Sequence, residues 1–153
     1  MSHDSTKVLM GSHGSSDIQT SCESGDPATF VAGLVVHLKS DKTLSLASAD
    51  GSKIGVSMGI SLSDTSKTAV CRSGNLIPVQ LTDETDAEAE PEPIGPFDYV
   101  VIGQPVESSA TTGKAVSDGN ATGAIWASGP MKGIDPITGV EIDVALVDMG
   151  GGL

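Results

Sequence analysis

Apolar residues along this chain gather in short, strand-length runs, several of them alternating with polar residues, and nowhere does a 3.6-residue spacing persist for three turns. Leu34-Val35-Val36-His37-Leu38 is followed by the polar turn Lys39-Ser40-Asp41-Lys42. Thr43-Leu44-Ser45-Leu46-Ala47 then alternates with period two, as a half-buried strand does. Asp50-Gly51 supplies a turn, and Ile54, Val56, Met58 and Ile60 mark the next strand at every second position. Two more short runs follow, Thr68 to Arg72 and Leu76 to Leu81, with Ser73-Gly74-Asn75 expected to join them as a hairpin. Pro78 has no N–H for a ladder, which puts its strand at an edge or a bulge.

The second half repeats the texture of the first. Tyr99-Val100-Val101-Ile102-Gly103-Gln104-Pro105-Val106 leads through Gly113-Lys114-Ala115-Val116 to the turn Asp118-Gly119. An apolar strand, Gly123-Ala124-Ile125-Trp126, comes next, and Val140 to Val147 closes the half. The first half has Gly33-Leu34-Val35-Val36, then Asp50-Gly51, then Gly55-Val56-Ser57-Met58-Gly59, in the same order. The expected architecture is all-β: a compact β-barrel or β-sandwich of two related meander units. Residues 1–29 are polar, rich in Ser, Gly and His, and bury too little to fold alone. They are expected to form an extended N-terminal arm on a β-rich body at 30–153, with Lys7 to Met10 suited to adding a strand to a sheet edge. An acidic loop at 83–96 separates the halves, its six carboxylates repelling one another and its prolines favouring extended chain.

Composition sharpens this picture. Aromatic anchors are few (Phe30, Phe97, Tyr99 and Trp126), so the core rests on Val, Ile, Leu and Ala, and self-association or docking to a larger body would add stability. Twenty acidic residues against eight basic ones give a net charge of −12, which excludes direct nucleic-acid binding and disfavours anionic membranes. The two cysteines, Cys22 and Cys71, match neither a zinc spacing nor a Cys-x-x-Cys motif; one disulfide is open to them, and two reduced, partly buried thiols are the favoured expectation. The first residues contain no apolar signal core and no run reaches transmembrane length, which leads to an expectation of synthesis and folding in the cytoplasm.

No catalytic constellation assembles from these residues, and the expectation is a protein without enzymatic activity, cofactor or metal. His3 and His13 lie in the arm, and His37, inside an apolar strand, is expected to be a structural or interface residue. Thr111-Thr112-Gly113-Lys114-Ala115 has Ser108 where a phosphate loop needs its first Gly, and Ala115 where it needs a magnesium-binding hydroxyl. Asp135, Glu141 and Asp143 lack the oxygen spacing of a calcium loop and are expected on a solvated rim. Gly133 to Gly139 with the glycine-rich C-terminus resembles trimeric dUTP pyrophosphatases. No Tyr follows Asp135, however, and Gly150-Gly151-Gly152-Leu153 carries no Arg, so the likeness fails at the nucleotide-binding positions.

A broader resemblance covers most of the chain. Its stretches are Lys7 to Gly11, Gly33 to Val36, Ile54 to Gly59, Thr68 to Gly74, Tyr99 to Val106, Ala124 to Pro130 and Val144 to Asp148. In texture and order these resemble the head-decoration, or capsid cement, proteins of tailed bacteriophages. The resemblance implies a virion structural protein, a homotrimer made in the host cytoplasm and added to the outer surface of the assembled capsid. There it would bridge neighbouring major capsid proteins and stabilise the shell. On this reading Lys7, Val8, Leu9, Met10 and Gly11 form the capsid-binding arm, and Phe30, Ile54, Val56 and Trp126 serve core or interface packing. The rival from another class is a β-rich host-attachment or glycan-binding module, against which the lack of a clustered aromatic platform speaks.

Overall fold

The computed structural model describes residues 8–9, 18–20, 31–38, 43–46, 53–60, 66–72, 74, 76–82, 97–109, 112–116, 120–135 and 138–149. They form twelve strands and no helix. The strands are β1 (Val8–Leu9), β2 (Ile18–Thr20), β3 (Val35–Leu38), β4 (Leu44–Ser45), β5 (Lys53–Ile60) and β6 (Thr68–Cys71). They continue as β7 (Ile77–Gln80), β8 (Pro105–Ser108), β9 (Ala115–Val116), β10 (Asn120–Trp126), β11 (Met131–Ile134) and β12 (Glu141–Asp148). The protein is all-β, as the alternating pattern requires.

Two curled sheets hold these strands. The smaller has the order β2-β6-β5-β3-β4, and the larger β1-β11-β12-β10-β8-β9, with β7 on the other side of β12. The two halves use the same pairing scheme. β3 pairs with β4 and β5, and β5 with β6; likewise β8 pairs with β9 and β10, and β10 with β12. In each half the third strand returns to the free edge of the first. The long third strands, β5 and β10, both carry a register shift, at Ser57/Gly59 and at Ala121/Ile125, each with a glycine at positive φ. A bulge of this kind bends a strand and helps a sheet to curl.

The turn around Gly74 differs from the expected hairpin. β6 belongs to the smaller sheet and β7 to the larger, so the connection crosses between sheets. Gly74 at φ 122° and Leu76 at φ 59° turn the chain away from its neighbour, and the Met149 amide donates to the Gly74 carbonyl. β7 pairs through Ile77–Gln80 with Val144–Val147 of β12. It has no second strand partner over that length among the described residues, which accommodates Pro78.

Beyond Gln80 the chain reaches β9. Leu81 bridges to Ala115, and the Thr82 amide donates to the Ala115 carbonyl at 3.0 Å. Pairing therefore runs from β12 to β7, β9, β8, β10 and back to β12. One core fills this ring and reaches the smaller sheet. Ile77, Val79, Val106, Ala124, Trp126, Ala145 and Val147 meet Val35, Val56 and Cys71. Residues of opposite parity in the smaller sheet, Leu34, Val36, Leu44 and Val70, form a second cluster on its other face.

Candidate functional site

β1 is the outermost strand of the larger sheet. Val8 and Leu9 lie parallel to β11, opposite Gly133 and Ile134. The sequence suited Lys7 to Met10 to a sheet edge, and the edge on which Val8 and Leu9 lie is that of the chain's own β11. Lys7, Met10 and Gly11 are outside the described residues. Part of the 1–29 segment also contributes β2, where Ile18–Thr20 pairs antiparallel with Thr68–Val70 at the edge of the smaller sheet.

The strand that receives β1 belongs to a hairpin. β11 pairs with β12 from Met131↔Val144 to Ile134↔Glu141. At its tip the Thr138 amide donates to the Asp135 carboxylate, and the Asp135 amide donates to the Val140 carbonyl. Asp143 is joined to Lys132 by a surface ion pair. Two of the three carboxylates singled out in the sequence thus serve the hairpin. Val140 projects from its tip, 57% exposed.

Further apolar surface gathers where β10 and β12 end. Ile125 lies opposite Asp148 on one side and Pro105 on the other. The turn before β8 is tied to the same place, with the Gly103 amide donating to the Trp126 carbonyl and the Trp126 amide to the Gln104 carbonyl. That turn carries Val101 and Ile102, the latter 67% exposed. Leu76 stands at the start of β7, one residue before the Ile77↔Val147 pair. Exposed side chains from three parts of the chain therefore line one end of the ring.

The packing residues have definite places. Val56 and Trp126 are buried in the shared core. Ile54 lies opposite His37 in the backbone pairing of β5 and β3, its side chain outside the described residues, as is the whole of Phe30. Trp126 packs against Tyr99 with ring centroids 6.1 Å apart, and Tyr99 meets Phe97 edge-on at 6.4 Å. The Tyr99 hydroxyl lies 2.9 Å from the Thr82 carbonyl oxygen and 3.0 Å from that of Ala115. It fastens the seam where β7 reaches β9. The acidic stretch 83–96 lies outside the described residues, between Thr82 and Phe97.

His37 is buried, with Nε2 3.4 Å from the Ser108 Oγ, linking β3 of the smaller sheet to β8 of the larger. Burial lowers its pKa from the ordinary value. Gly113-Lys114 closes the β8–β9 hairpin. The Gly113 amide donates to the Ser109 carbonyl and the Ser109 amide to the Lys114 carbonyl. A Cβ on Gly113 would lie 2.7 Å from the Leu46 Cδ2, so this glycine serves close packing rather than a phosphate. Cys71 is buried in the core, and Cys22 is outside the described residues.

Several connecting groups were not singled out by the sequence. Ser57 accepts from the Leu34 amide and donates to the Val31 carbonyl, and the Gln80 side-chain amide donates to the Ala32 carbonyl at 2.8 Å. Ser128 accepts from the Leu146 amide where β10 gives way to β11. Polar residues such as these carry no periodic signal of their own. The described residues contain no helix able to cross a membrane and no cluster of three His, Cys, Asp or Glu placed to hold a metal ion. No family model matches the chain, and neither the curated proteins nor the solved structures yield a significant likeness.

Proposed function

We propose that this chain is a decoration, or cement, protein of a tailed-bacteriophage capsid. In this role it is made in the host cytoplasm, binds the outer surface of the assembled shell as a homotrimer and bridges neighbouring major capsid proteins. The observation that carries the reading is the position of β1. Val8–Leu9 is the last strand of the larger sheet, held by β11 on one side, so a strand of a capsid protein can pair along the other. Main-chain pairing of this kind makes few demands on side chains, and repetition over a shell multiplies weak contacts. The body behind the strand suits a bridging role, because ring-like pairing and one core resist deformation.

The test is sedimentation of the purified protein with expanded and unexpanded heads of the phage that encodes it. Stable association restricted to expanded heads is the expected result, along with greater resistance of decorated heads to heat or chelator. Removing residues 1–13 should abolish association while leaving a folded body. Equal association of the truncated and full-length chains would overturn the assignment of the arm.

A further inference from the structure

The pairing of β1 with β11 is two residues long, and it joins positions 8–9 to positions 133–134. β11 is its only strand partner among the described residues. The net contribution of a main-chain hydrogen bond is small, because folding exchanges it for bonds to water, and a parallel pair of this length holds β1 only weakly. Eight residues separate β1 from β2, which is anchored on the smaller sheet. Fully extended, such a connection spans about 26–29 Å, roughly the width of a small domain. The acceptor edge is specified by β11 backbone and does not depend on which copy supplies the strand.

We propose that the β11 edge is an acceptor for the β1 strand of a second copy, so that copies associate by exchanging arms. The donor is already fitted to the site, since the exchanged strand makes the same Val8↔Gly133 and Leu9↔Ile134 pairs that it makes within one chain. Pairing through uncharged peptide groups places no like charges directly opposite each other at the contact between two chains of net charge −12. Lys7 precedes β1 in sequence, and the acceptor hairpin carries Asp135 and Glu141 besides the Lys132–Asp143 ion pair, so a cation on the arm meets carboxylates near the edge it joins. Val140 at the hairpin tip offers exposed apolar surface to the body of the incoming copy. Exchange from each copy to the next in one rotational sense closes a ring, and it leaves the outer side of every β1 open for the capsid pairing proposed above.

Two single-site variants test this, Leu9→Cys and Ile134→Cys, each in the full chain with Cys22→Ser. Mixed, allowed to exchange and mildly oxidised, they should give a disulfide between unlike chains severalfold in excess of products between like chains. Light scattering gives a second readout independent of disulfide geometry, in which the full chain is oligomeric and removal of residues 1–13 lowers its mass while the β-sheet circular dichroism persists. The proposal is overturned if unlike chains couple no more than like ones, or if the mass of the oligomer survives loss of the arm. Neither measurement contains capsid shells, so its failure is separate from failure of the cement assignment.

Discussion

The Tyr99 hydroxyl and the Thr82 carbonyl, 17 positions apart in sequence, are joined by a 2.9 Å hydrogen bond. The same hydroxyl is 3.0 Å from the Ala115 carbonyl, so one phenol holds the end of β7 against β9. Tyr99→Phe keeps the ring packed on Trp126 and removes the bond. The expected cost is about 1–2 kcal/mol, which for a chain of this size lowers the melting temperature by about 2–8 °C. Urea and thermal unfolding measure it; an unchanged melting temperature would show that the seam closes without the hydroxyl.

Because Thr82 and Tyr99 are fastened to each other, the stretch between Thr82 and Phe97 leaves and re-enters the body at one place. Replacing residues 83–96 by a short Gly-Ser linker should leave the fold intact, since closing a shorter loop changes the entropy by only about 1 kcal/mol or less. It also removes six carboxylates and brings the net charge from −12 to −6. A melting temperature within a few degrees of the parent's, with markedly slower migration toward the anode, is the expected pair of results. A collapse of stability would assign the stretch a structural role.

Burial of His37 sets a pH dependence. Its folded-state pKa lies below the ordinary 6.5, so the unfolded chain takes up a proton at a pH where the folded chain does not. The stabilisation is complete above about pH 6.5 and declines as the pH falls toward the folded-state value. His37→Gln keeps a polar side chain facing Ser108 but cannot charge. Its urea midpoint should fall less than the parent's between pH 7 and pH 5.5, roughly the window in which an ordinary histidine titrates. Parallel curves for the two proteins would remove His37 as the source.

Gly55 lies opposite Val36 in the smaller sheet, and a Cβ built on it falls 2.4 Å from the Val70 Cγ1 and 3.1 Å from the Cys71 carbonyl oxygen. Gly55→Ala should therefore force β5 and β6 apart or displace Val70 from its cluster, at a cost of about 1–3 kcal/mol. Pairing it with Val70→Ala should recover part of the loss, and a double-mutant cycle reads the coupling directly.

The strands of the body were legible because burial on one face imposes a period of two. Val35, Val56 and Val79 lie in the core as alternation requires, and the recurrence between the halves reappears as shared pairing. Alternation reports that a residue is buried and not what buries it. Thr68–Cys71 and Ile77–Gln80 read as neighbours for that reason, although they lie in different sheets. The glycines matched between the halves show the same limit. Gly123 lies at φ 80° within the register shift of β10, whereas Gly55 has no positive φ and is held by close packing; Gly59 takes the bulge position in β5. Met131–Ile134 carries no strand signal in sequence, because Lys132 and Gly133 interrupt its apolar pattern. The candidate site depends on that strand, and pairing across more than a hundred residues leaves no local signature.

The pairing of residues 8–9 with 133–134 also fixes an order of events during synthesis. Sequential emergence from the ribosome lets β3 to β6 meet early, since all lie between residues 35 and 71. The inner face of that sheet, with Val35, Val56 and Cys71, then waits for Ala145 and Val147 to cover it. β7 waits likewise for β12, and β1, made well before β11, finds its place only once residues 133–134 have been joined. Between the synthesis of β1 and that of β11, β1 thus stays available for pairing elsewhere, and neighbouring nascent chains on one message are its nearest alternative partners.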